Sequence, residues 1–138
     1  MILSVPFSEI SDYLRSHYNR DVTLSRITDD SFHVTFTQKI LIKNVNIGLD
    51  LKIAQLDSES VTIIYSGSFA IDMILSGLLA FIIDNYPDIR NAVTVSNNDK
   101  KIRVDLTKIE KARKLLEILE PKAITVDDSA IALTATLR

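Results

Sequence analysis

Val45-Asn46-Ile47-Gly48-Leu49-Asp50-Leu51-Lys52-Ile53-Ala54 decides the fold. Val45, Ile47, Leu49, Leu51 and Ile53 project to one side; Asn46, Gly48, Asp50, Lys52 and Ala54 project to the other. Strict alternation over ten residues predicts a strand with one buried and one wet face, which is the antiparallel signature. Asp57-Ser58-Glu59 supplies turn chemistry after it, and Val61 to Tyr65 reads as the returning strand. Upstream, Phe32, Val34 and Phe36 alternate in the same way, with Ile40 and Ile42 as a continuation. Thr28-Asp29-Asp30-Ser31 joins them to a strand carrying Val22 and Leu24.

Helices bracket these strands. Phe7, Ile10, Leu14 and Tyr18 fall at helical spacing, and Ser8 is the expected N-cap. Thr107-Lys108-Ile109-Glu110 matches a capping box, in which Thr and Glu satisfy each other's backbone donors. Ile109, Ala112, Leu116 and Leu119 are the inner stripe of that helix, with Pro121 beyond its end. Val93 to Val95 and Ile102 to Leu106 read as a hairpin about Asn97-Asn98-Asp99. Ile124 to Val126 and Ile131 to Leu137 read as another, about Asp127-Asp128-Ser129. The expected order is α-β-β-β-β-α-β-β-α-β-β. The expected class is α+β: a strongly curved, mostly antiparallel sheet of about eight strands, packed around a central helix, with two amphipathic helices. A helix, a strand, an Asp-Asp-Ser turn and a Thr-bearing strand occur at 7–37 and again at 107–137. Duplication and shared hairpin grammar both produce that echo, and the grammar is the simpler cause.

The central helix is the segment Phe69 to Ile83, opened by Ser66-Gly67-Ser68 and followed by Pro87. Only Asp72, Ser76 and Gly77 interrupt its apolar run. Fifteen residues span about 22 Å as a helix. With almost no polar face, nearly the whole circumference needs covering. A wrapped sheet, a hydrophobic ligand or membrane surface, or a second subunit would each do it. Phe69, Met73, Leu78, Phe81 and Ile82 are the candidate ligand-lining residues.

Long alternating strands beside one apolar helix resemble small domains of the tubular lipid-binding superfamily. The run Val45 to Ile53 and the helix Phe69 to Ile83 carry the resemblance, which covers residues 21–85. It is one of pattern, so it assigns no individual functional residue. It implies a hydrophobic, lipid-like cargo or a membrane-facing role.

Composition bounds the rest. The chain has 138 residues, 46% hydrophobic and 25% charged, with a formal net charge of -2. One domain over 1–138 is expected, burying roughly 70% of its unfolded surface. The absence of cysteine excludes a disulfide scaffold, a thiolate zinc site and a cysteine nucleophile. Three glycines cannot build a phosphate-binding loop, and no cofactor pattern is present. His17 and His33 have no second ligand at metal spacing, and His33 lies on the polar side of its strand. Ser66-Gly67-Ser68 has the context of a nucleophile elbow but lacks its pattern, so an enzyme is not expected. Asp50 is expected to face water, and Asp72 to favour its helix's dipole. The apolar stretch is shorter than the roughly 20 residues of a membrane span, and no signal sequence is evident, so a cytoplasmic protein is expected.

One charged feature stands out. Lys100, Lys101, Arg103, Lys108, Lys111, Arg113 and Lys114 fall in fifteen residues, with Asp105 and Glu110 as partial offset. If strand and helix share a face, it would attract an anionic partner: a phospholipid headgroup, a nucleic acid or an acidic protein. No aromatic side chains are interleaved, so nucleic-acid stacking is not expected. The expected function is a non-enzymatic binding module for a hydrophobic ligand or membrane surface. The alternative is an assembly subunit that buries an apolar helix face against a protein partner. The oligomeric state is left open.

Overall fold

A computed structural model describes residues 1–40, 42–67, 80, 84, 89–96 and 98–138. The chain is α+β with mostly antiparallel sheets. β1 (Ile2–Pro6) leads into α1 (Phe7–Tyr18), and β2 (Val22–Thr28), β3 (Ser31–Ile40), β4 (Lys43–Leu56) and β5 (Ser60–Gly67) follow. β6 (Val93–Ser96) and β7 (Lys101–Asp105) precede a 3-10 turn at Leu106–Lys108. The chain finishes with α2 (Glu110–Leu116), β8 (Leu119–Val126) and β9 (Ala130–Leu137). Two antiparallel sheets result, one ordered β2-β3-β4-β5-β7-β6 and one ordered β1-β9-β8. Among the described residues the larger sheet is open, with β2 and β6 at its edges.

β4 sits mid-sheet in the register that its alternation requires. Leu49 pairs with Val34 and Ile47 with Phe36; across the next ladder Leu51 pairs with Tyr65. These apolar side chains meet on one face. Phe36, Ile47, Leu49 and Tyr65 form one buried cluster. Phe7, Phe32 and Val126 form a second, which joins α1 and the small sheet to the large one. Backbone and side-chain bonds reinforce that junction: Val126 N–H donates to Asp29 O at 2.8 Å, and Arg26 Nε donates to Val126 O at 3.0 Å.

Three of the hairpins, β2–β3, β4–β5 and β8–β9, use one device. A small buried residue, Ser31, Ser60 or Ala130, starts each returning strand. The carbonyl just before it accepts a bond from the residue just past the last rung of the neighbouring ladder. Ile53 donates to Asp30, Leu106 to Glu59 and Phe7 to Ser129, each at 2.8 Å. The third copy, at 57–65, has no helix before it in sequence, which favours shared hairpin grammar over duplication as the source of the echo.

Several expectations are corrected. Nine strands are found among the described residues, not about eight, because Ile2–Pro6 is a strand. It pairs with β9, and Ala135 N–H donates to Met1 O at 2.9 Å. α1 begins at Phe7 with Pro6 at the cap position, so Ser8 does not cap it. The capping box does not form either. Asp105 takes the role, its Oδ1 accepting from Thr107 N–H at 3.1 Å and from the Thr107 hydroxyl at 2.6 Å. The helix then starts only at Glu110 and ends at Leu116. Leu119 therefore belongs to β8, and Pro121 lies within that strand. A proline removes a ladder donor; here it sits beside a bulge on an edge strand, where that loss is tolerated.

The expected central helix, Phe69 to Ile83, falls almost wholly outside the described residues; Ala80 and the following Asp84 are described, and both are helical. Among the described residues no helix is long and apolar enough to cross a membrane.

Candidate functional site

Of the residues proposed for hydrophobic contact, Phe69, Met73, Leu78, Phe81 and Ile82 all lie outside the described residues. A different apolar feature is on view. β1 and α1 flank an open groove of about 410 Å³, lined by Val5, Glu9, Ile10, Tyr13 and Leu14. Among the described residues β1 is the edge of the small sheet, with no strand paired to its far side. Alternation puts Leu3 and Val5 on the face they share with Leu133 and Ile131. Both remain half exposed, and so does Tyr13. Among the described residues Glu9 is the only charged side chain on the groove wall. The groove was missed because Ile2–Pro6 was not read as a strand, although Leu3 and Val5 alternate with Ser4 and Pro6.

The basic segment does not form a single face. Lys100 has a left-handed backbone (φ 56°), and its Nζ lies 5.8 Å from the centre of the buried Tyr65 ring. That places a cation over a π face. Lys101 and Arg103 point to the polar side of β7, opposite Ile64 and Thr62. Arg103 also bears on two acids. Asp57 is held below its ordinary value chiefly by the Glu59 N–H, then by the Ser60 hydroxyl and N–H, with a smaller contribution from Arg103. Asp105 is lowered chiefly by the Thr107 hydroxyl, with Lys108 and Arg103 adding to it. Lys101, Arg103 and Lys108 are themselves exposed. Lys111, Arg113 and Lys114 remain exposed on α2. Lys114 pairs with Glu110 at 3.5 Å, but both side chains are mostly exposed, so the pair is weak.

The polar face of the large sheet brings His33 and Asp50 together. They are direct cross-strand partners, and His33 Nδ1–H donates to Asp50 Oδ1. Register also aligns Ser25, His33, Asp50 and Ser66 in one row across four strands. That row has the composition of a hydrolase triad but not its geometry. The His33 ring lies over Gly48, where an added Cβ would be 3.1 Å from Cε1 and 3.3 Å from Nε2. Nε2 is therefore turned toward β4, away from Ser25 on β2. A base oriented by a carboxylate needs its nucleophile within hydrogen-bond reach of the other nitrogen.

His17 has a local role. Its Nδ1 meets Tyr13 O at 3.1 Å, and its ring stacks on Tyr13 with centroids 4.0 Å apart. Among the described residues no group of three metal-ligating side chains converges. The turn aspartates act within their turns: Asp30 Oδ1 accepts from Thr28, and Asp127 Oδ1 from Ser129 N–H. Asp72 and Ser68 lie outside the described residues.

Comparison with known proteins adds no identity. No family model matches the chain, and neither a curated protein nor a solved structure is significantly similar to it.

Proposed function

We propose that this protein is a non-enzymatic binding module for a hydrophobic, lipid-like ligand. One observation carries the reading: an apolar groove of about 410 Å³ between an edge strand and an amphipathic helix. Ligand sites are concave, predominantly apolar and typically about 300–1,000 Å³ in volume. Val5, Ile10, Tyr13 and Leu14 offer hydrocarbon contact, and among the described residues no cation lines the wall. With Glu9 as its only charge, the groove suits the hydrocarbon part of a ligand and leaves an anionic headgroup outside. This reading is in keeping with the likeness to tubular lipid-binding domains, and it does not require a closed tube. The strongly curved sheet around Phe69 to Ile83 belongs to the same proposal, with Phe69, Met73, Leu78, Phe81 and Ile82 as further apolar contacts.

A second reading has its own observation. β1 is an edge strand whose Ile2, Leu3 and Val5 side chains are 70%, 45% and 43% exposed. Edge strands left this apolar invite pairing with another chain. An assembly subunit would use that edge. Native mass spectrometry of freshly purified protein, with lipid extraction alongside, separates the two. Extra mass that extracts as a lipid or fatty acid supports the ligand reading. A clean dimer without extra mass supports assembly, and a clean monomer that takes up no added fatty acid contradicts both.

A further inference from the structure

We infer that the outward side of α2, with the adjoining end of the small sheet, docks on an anionic lipid surface. The inference rests on the lipid-binding reading and names the surface from which such a ligand would be taken.

Three large apolar side chains meet here without cover from the described residues. Leu115, Ile118 and Leu137 are 54%, 58% and 72% exposed. They are neighbours by hydrogen bonding: Arg138 N–H donates to Ile118 O at 3.0 Å, and Arg138 Nε donates to Leu116 O. The last turn of α2 is thereby tied to the end of β9. On α2 itself, Lys111, Lys114 and Leu115 share one side by helical spacing, while Ile109, Ala112 and Leu116 are half-buried on the other. The result is an aliphatic centre rimmed by Lys111, Lys114 and Arg138.

Charge selects the occupant. Protein interface cores are depleted in lysine and enriched in aromatic residues, and among the described residues this patch has two lysines and no aromatic. Nucleic acid would leave the aliphatic centre unused. An interfacial element that presents aliphatic side chains to acyl chains, and lysines to anionic headgroups, meets both requirements. Glu110 and Glu117 lie on the same short helix and its exit. Glu110 engages Lys114 only through a mostly exposed ion pair, which a headgroup phosphate can replace.

The test is co-sedimentation with vesicles of phosphatidylcholine alone and of phosphatidylcholine mixed with phosphatidylserine. Wild type should bind the mixed vesicles, bind the neutral ones far less, and release in high salt. Lys111→Gln with Lys114→Gln should weaken binding about 25-fold, since each surface cation contributes roughly fivefold. Leu115→Ser with Ile118→Ser should abolish it. Both pairs are exposed, so the variants should fold, and circular dichroism checks this. Equal binding to neutral and anionic vesicles would overturn the inference, as would no vesicle binding by wild type or full binding by both variants. Native mass spectrometry on the same variants keeps the two readings apart. Retained lipid mass with lost vesicle binding locates the fault in the docking face, not in the groove.

Discussion

The imidazole of His33 rests on the bare backbone of Gly48, two rungs along the β3–β4 ladder from its own partner, Asp50. A Cβ at position 48 would lie 3.1 Å from the ring, close enough that the ring would have to shift by a few tenths of an ångström. Glycine in a strand interior is otherwise destabilising relative to alanine by roughly 0.5–1 kcal/mol. Here the lost stability has a compensation, because the ring can tilt into bonding reach of Asp50.

Gly48→Ala should therefore separate the two effects. The new Cβ pushes the ring aside and breaks the His33–Asp50 bond, while the strand itself gains in propensity. Net stability should stay within about 1 kcal/mol of wild type. Nitrogen NMR of the imidazole should report loss of the Nδ1 hydrogen bond. A ring signal unchanged from wild type would show that the ring accommodates alanine without moving.

Tyr65 is fully buried in the cluster with Phe36, Ile47 and Leu49. Tyr65→Ala should cost about 3–5 kcal/mol, the range for removing a large aromatic from a packed core. Urea denaturation checks it. A loss below 1 kcal/mol would mean that this cluster is not what holds the large sheet together.

Arg26 links the two sheets through Val126 O and lies 3.7 Å from Asp128. Asp128 is almost fully exposed, so the carbonyl bond matters more than the ion pair. Arg26→Met keeps the stem's packing and removes the donor. The expected loss is about 2 kcal/mol, in the range for a bond to a charged group. Asp128→Asn should change stability by a few tenths of a kcal/mol at most.

Acid should loosen two turns first. Asp57 and Asp105 both have folded-state values below the ordinary 3.8. A lowered value means that the ionised form is favoured in the fold. Their contribution is complete above 3.8 and is lost as pH falls through the lower, folded values. Asp57→Asn with Asp105→Asn should be less stable than wild type at neutral pH and lose less on acidification. Parallel thermal melts across this range check the sign; identical slopes would contradict it.

Much of the fold was legible because its strongest signals are local. The alternation from Val45 to Ile53 placed a two-faced strand, and the aspartate turns placed hairpins about it. What failed was non-local. Ile2–Pro6 is five residues long and becomes a strand only because β9, more than a hundred residues later, pairs with it. The capping box had the right letters, but Asp105 lies two residues before Thr107 and reaches its N–H first. Pro121 reads as a helix stop, yet a bulge on an edge strand accepts it. The groove inherits the same blindness, since one of its walls is β1. The basic segment was visible as charge, but its division between Tyr65, the turn acids and the open side of α2 depends on tertiary placement.

Labelling with a photoactivatable fatty acid, followed by peptide mapping, tests the central claim most directly. The account predicts crosslinks on the peptide that spans β1 and α1, at Val5, Ile10, Tyr13 or Leu14, and their loss when unlabelled fatty acid competes. No competable label on that peptide, or label spread evenly over the surface, would contradict a lipid site between β1 and α1.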